Sequence, residues 1–113
     1  MKKLIIFTIF TMMMMGCCDE AEVIEVEHID KDNYKEYIGK TVKVTGDVNL
    51  MNLGLTKIPI NFTEVGGTFY CSFNKLTSLE GAPEKVGEDF LCWHNQLKST
   101  KDKPKFIGGR IIY

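Results

Sequence analysis

Three stretches of this chain can be laid over one another: VTGDVNLMNLGLTKI at 44–58, VGGTFYCSFNKLTSL at 65–79 and VGEDFLCWHNQLKST at 86–100, with a fourth, IGGRIIY, beginning at 107. The offset is 21 residues each time. Val44, Val65, Val86 and Ile107 fall in one column, Val48, Phe69, Phe90 and Ile111 in a second, and Leu50, Cys71, Cys92 and Tyr113 in a third. Further columns hold Leu53, Asn74 and Asn95, then Leu55, Leu76 and Leu97, then Ile58, Leu79 and Thr100. Glycine recurs with them, at Gly66-Gly67, Gly87 and Gly108-Gly109. A unit V-x3-F-x-C-x2-N-x-L-x2-L at fixed period reads as a solenoid, because one rung cannot bury its own apolar side and rungs gain stability only by stacking.

Side chains alternate along a strand, so Phe69 and Cys71 point inward and Tyr70 outward. Asn74 and Asn95 stand where an amide can turn in and bond the backbone of a bend, whereas Leu53 replaces Asn in the first rung, as suits an end repeat. Pro83 and Pro104 share a column on the return path, where a missing N–H does no harm. The unit is close to the leucine-rich-repeat frame L-x-L-x2-N-x-L. Leu76 to Gly87, LTSLEGAPEKVG, resembles short bacterial and phage leucine-rich-repeat-like units of the type L-T-S-L-E-G-A-P-x-x-V-G. The resemblance spans Val44 to Tyr113. It implies a short leucine-rich-repeat-like solenoid of about three and a half rungs, with one parallel β-strand per rung and an irregular return loop. It carries a fold and no activity.

Upstream, residues 23–43 are expected to form a small α/β cap. Val23, Ile24, Val26 and Ile29 suggest a strand, Asp30 or Asp32 could cap a short helix carrying Tyr34, Tyr37 and Ile38, and Gly39 would end it. Residues 1–16 read as a leader: Lys2 and Lys3 precede an apolar run, Leu4 to Met15, that is too short to span a bilayer. Met14-Met15-Gly16-Cys17 resembles a lipobox, at which Cys17 would be acylated and become the new amino terminus. Met14 stands where Leu is usual, and Cys18 is an uncommon neighbour. Asp19, Glu20 and Glu22 would then form an acidic tether over 17–22, with the protein held in a bacterial envelope by its lipid (on the periplasmic face of an outer membrane in a Gram-negative cell). A phage or prophage gene fits the same features.

The chain's 113 residues allow one domain, with 44% hydrophobic and 26% charged residues and a net charge of -1. That balance argues against a nucleic-acid partner, which requires clustered Lys and Arg. Cys71 and Cys92, one period apart, read first as small core residues. Adjacent strands lie about 4.8 Å apart, so a disulfide between them is the alternative. No metal site is assigned, since His94 should face away from Cys92 and no fourth ligand stands out. The same geometry opposes a catalytic Cys–His pair. His28 reads as a solvated cap residue, and the glycines serve turns rather than phosphates. The sequence therefore names no cofactor and no catalytic residue, and the expectation is a protein that is not an enzyme.

Three outward columns remain: Asn49, Tyr70, Leu91 and Ile112, then Met51, Ser72 and Trp93, then Asn52, Phe73 and His94. A candidate binding face of Met51, Tyr70, Phe73, Leu91, Trp93 and Ile112 follows, because contiguous exposed apolar surface marks a contact. Two functions are expected from it: non-catalytic binding of another envelope protein through this strand face, or self-assembly into a homodimer through the strand edge at Ile111–Tyr113.

Overall fold

The computed structural model describes the backbone of Ile6–Thr8 and residues 22–113. Their strands are β1 (Ile6–Thr8), β2 (Val23–Val26), β3 (Thr41–Val44), β4 (Val48–Asn49), β5 (Asn61–Val65), β6 (Phe69–Tyr70), β7 (Lys85–Val86), β8 (Phe90–Leu91), β9 (Phe106–Ile107) and β10 (Ile111–Ile112). They stack into a β-solenoid of about 4 turns with almost no helix. One sheet runs β1-β2-β3-β5-β7-β9 and the other β4-β6-β8-β10. Every pairing is parallel except β1 with β2. The ladders follow the repeat columns: Val44 lies opposite Val65, Val65 opposite Val86 and Val86 opposite Ile107, while Val48, Phe69, Phe90 and Ile111 form the second series.

Each rung thus carries two short strands, one more than the sequence reading assigns. The valine column belongs to a ladder of its own. A glycine corner separates it from the phenylalanine column and breaks the alternation into pieces too short to read as strands. Stacked corners need glycine for space: a Cβ on Gly87 would lie 2.1 Å from the carbonyl oxygen of Gly66 in the rung below. Carboxylates tie successive corners together. Asp47 Oδ1 accepts from the Thr68 amide at 2.9 Å, and Asp89 Oδ1 from the Arg110 amide at 2.8 Å. The Arg110 backbone N–H, helped by its guanidinium, holds the Asp89 carboxyl below its ordinary range.

The interior is filled by the inward columns. Phe69 is fully buried, packed edge-on against Phe62 at 5.2 Å between ring centroids and stacked on Phe90 at 5.4 Å. Burying one such side chain contributes about 1.5–3 kcal/mol. The asparagines supply the polar counterpart. Asn74 Oδ1 accepts from the Leu53 and Leu55 amides of the preceding rung, and its Nδ2 reaches the carbonyls of Leu50, Cys71 and Ser72. Asn95 repeats this one rung later, accepting from Leu76 and donating to Cys71, Cys92 and Trp93. Rung-to-rung backbone groups that a bend would orphan are satisfied in this way.

Residues 23–43 cover the amino-terminal end of the solenoid by continuing both of its sheets. Val26 pairs with Val44 on the first sheet, and Ile29 makes a parallel bridge to Val48 on the second. The expected α-helix is a four-residue 3-10 turn, Tyr34–Tyr37, with no side-chain cap. So short a segment favours i→i+3 bonds over a costly α nucleus. Asp30 takes the amide of Asp32 at 2.9 Å and builds the preceding turn. Gly39, at φ +82, ends the turn as expected. Of the expected leader, β1 alone is described, paired antiparallel with β2. Cys17, Cys18 and the start of the acidic tether lie outside the described residues.

Candidate functional site

The corner that follows each strand of the second sheet has an unusual backbone. Asn52, Phe73 and His94, one repeat apart, adopt φ of 57°, 59° and 58°. They are the non-glycine residues with positive φ among those described. The left-handed region costs an L-residue roughly 1–2 kcal/mol, with Asn the least penalised. The ladder nevertheless runs through the corner, since the Asn52 amide donates to Ser72 O at 3.2 Å and the Phe73 amide to Trp93 O at 3.0 Å. These bonds hold Asn52 and Phe73 in place, and the Asn74 and Asn95 side chains brace the bends after Phe73 and His94.

The strained positions carry rings into solvent. Phe73 is 46% exposed and His94 is exposed as well. Their rings stack with centroids 4.6 Å apart and planes 15° apart, as successive rungs demand. Trp93 meets Phe73 edge-on, at 6.3 Å and 78°. The result is an aromatic corner made of Phe73, Trp93 and His94, flanked by half-buried Tyr70 and Met51 and exposed Asn52.

One residue of the expected face is covered, and the others are exposed or half-buried. Leu91 is buried at 8% exposure, hemmed between its ladder neighbours Tyr70 and Ile112. Ile112 is half-buried on β10. Ser72 is wholly buried, and its Oγ accepts the Trp93 amide at 3.1 Å, so the hydroxyl faces the next rung rather than water. Tyr70, Phe73, Trp93 and Met51 do lie along one border. His94 and Asn52 complete it, and the candidate face from sequence omitted both. The Asn52 column held the signal, because Asn is a common left-handed residue; Phe73 and His94 beneath it concealed the turn.

Cys71 and Cys92 are free thiols, both buried and on adjacent rungs. A hydrogen bond with Cys92, together with burial, pushes the Cys71 thiol above its ordinary range. They fill the core as small apolar residues. Among the described residues no group of three or more His, Cys, Asp or Glu side chains is placed to hold a metal ion, and no helix is long and apolar enough to cross a membrane. The concave regions are shallow grooves, one lined by Phe62, Gly81 and Pro83 with Lys101 and Lys105, another by the rims of β5, β7 and β9. Comparison with known protein families, with curated proteins and with solved structures gives no match.

Proposed function

We propose that this protein is a lipid-anchored envelope protein that binds another protein, without catalysis, through its aromatic corner. One observation carries the reading: two aromatic residues are held exposed, stacked and left-handed on successive rungs. Folding alone gains little from them there, since Asn or Gly would relieve the backbone, and strain of this kind collects at functional positions. Trp93 and Tyr70 add rigid contact area of the sort that anchors interfaces. The leader over residues 1–16 that precedes Cys17, and the resemblance of Leu76–Gly87 to bacterial and phage leucine-rich-repeat-like units, support the envelope setting. Masking a receptor is one role such a protein could serve. The test is photo-crosslinking in the cell from position 93, followed by mass spectrometry. A single heterologous envelope protein is expected. Loss of that product in Phe73→Asp and His94→Asp, with the fold retained, would complete the case, because Asp accepts the left-handed region. Unchanged capture would sink it.

A second reading, homodimerisation, has its own observation. Phe106, 62% exposed, sits on β9, the outer strand of the first sheet, and half-buried Ile111 and exposed Tyr113 lie at the outer strand of the second. Edge strands invite pairing. Sedimentation at high micromolar concentration should then show a dimer that Phe106→Asp dissociates; a monomer throughout excludes it.

A further inference from the structure

We infer that the partner segment docking on the aromatic corner is acidic: a stretch of protein carrying carboxylates beside aromatic or apolar side chains. This rests on the binding role proposed above and adds the chemistry of what is bound. The argument begins with an asymmetry in charge. Residues 49–58, 70–79 and 91–100, which make the second-sheet strands and the corner after them in three successive rungs, contain no Asp or Glu. They contain Lys57, Lys75 and Lys98, all exposed. The acids of the repeats lie outside them: Asp47, Glu64, Glu80, Glu84, Glu88, Asp89 and Asp102 occupy the return path, the first sheet and the glycine corners.

The pairing of these charges sharpens the point. Lys43 lies within 3.6 Å of two carboxylates, Lys105 has Glu84 at 3.4 Å, and Arg110 has Asp89 at 3.4 Å. Among the described residues neither Lys75 nor Lys98 has a carboxylate within 4.0 Å. Lys75 follows Phe73 by two positions, and Lys98 follows His94 by four. Lys75 and Lys98 thus follow the ring-bearing corners along the chain, in segments that hold none of the protein's own acids. Complementary charge across an interface steers encounter and rejects wrong partners. Carboxylates meeting these lysines would leave the rings to take up the apolar side chains between them.

The observations favour a protein segment over other polyanions. Nucleic acid and anionic bilayers are gripped by dense clusters of Lys and Arg. These segments have isolated lysines spread over successive rungs, and the whole chain carries a net charge of -1. That density suits a few carboxylates interleaved with side chains, not a continuous phosphate array.

The experiment uses the full chain in non-ionic detergent and a fluorescent random copolymer of Glu and Tyr as probe. Copolymer of Lys and Tyr, oligo-dT and phosphatidylglycerol vesicles serve as competing surfaces. Anisotropy should show the Glu–Tyr copolymer bound in preference to the others, and the binding should weaken with added salt. It should fall about tenfold in the Lys75→Glu, Lys98→Glu double variant, and likewise in Phe73→Asn, His94→Asn. Failure to bind the probe, equal binding of the Lys–Tyr copolymer, preference for oligo-dT or vesicles, or indifference to the charge reversal would each overturn the inference. Crosslinking from position 93 separates this result from the parent reading. If an envelope protein is captured equally by the wild type and the Lys75→Glu, Lys98→Glu variant, the binding role stands and the acidic segment fails. If nothing is captured and no probe binds, both fail.

Discussion

The two outer faces of the solenoid are built by the same repeat and differ in how far each satisfies itself. On the first sheet the outward ladder reads Glu25, Lys43, Glu64, Lys85 and then Phe106. Opposite charges alternate rung by rung, and Lys43 sits 3.6 Å from Glu25 and 3.5 Å from Glu64. On the second sheet the outward border carries Tyr70, Phe73, Trp93 and His94, and Lys75 and Lys98, which follow in the chain, have no carboxylate within 4.0 Å among the described residues. From Glu25 to Glu64 the ladder is ion-paired and has little left to offer a partner, and its exposed ring, Phe106, stands alone at the outer strand. The aromatic corner keeps exposed rings, unpaired cations and a strained backbone. Repetition fixes the inward columns, because every rung must pack on the next, and leaves each outward column free to diverge.

The largest effect should come from the interior that both faces share. Phe69 lies between Phe62 and Phe90 in the stack, so Phe69→Ala should cost about 3–5 kcal/mol, which a solenoid of this size can scarcely withstand. Urea denaturation followed by circular dichroism would measure it. A loss under 1 kcal/mol would mean that the rungs do not stack as described.

Asn74→Leu should come next, and it borrows the residue that the first rung carries as Leu53. The Asn74 side chain makes five hydrogen bonds to backbone groups of its own and the preceding rung. Leucine would leave the Leu53 and Leu55 amides without that acceptor, at about 1–3 kcal/mol each before water relieves part of it. A total of about 2–4 kcal/mol is expected. Hydrogen exchange should quicken most at Leu53 and Leu55, nearer the aromatic corner than the charged ladder. Uniform quickening over the molecule would contradict so local a role.

Those two residues mark what the sequence disclosed well. Period, inward columns and amide bends were legible because each is a side chain that stacking requires, and stacking leaves the same letter at the same place. The second strand per rung was not, because in the later rungs only two residues stand on either side of the glycine corner, too few to display alternation. The rung built by residues 23–43 was hidden by its spacing: Val26 precedes Val44 by 18 residues, not by 21. At the candidate site, Tyr70, Phe73 and Trp93 were visible as outward letters. The burial of Leu91 depends on its in-register neighbours, and the left-handed turn beneath Phe73 and His94 is a backbone property that neither side chain advertises.

Phe73→Asn tests the strain directly and should change stability little. Asn52 already occupies this column with the same φ. Relief of the left-handed Phe returns about 1 kcal/mol, and loss of the ring stack removes about 0.5–1.5 kcal/mol. The net should fall within about 1 kcal/mol of zero, while partner capture drops. A loss above about 2 kcal/mol, the size typical of core aromatics, would make Phe73 a packing residue and remove the main support for a binding corner.

The smallest effect belongs to the charged ladder. Lys43→Met keeps the aliphatic stem and removes the cation between Glu25 and Glu64. Lys43 is 42% exposed, and its partners are 30% and 37% exposed, so solvent screens both pairs. Exposed pairs are worth about 0–1 kcal/mol, and the remaining carboxylates lie two strands apart, which limits their repulsion. Stability should fall by less than about 1 kcal/mol at low salt, and the difference should shrink when added salt shortens the screening length. Partner capture should not change. If Lys43→Met impaired capture as strongly as Phe73→Asp, the two faces would not be functionally distinct, and binding would have to be reassigned to the solenoid as a whole.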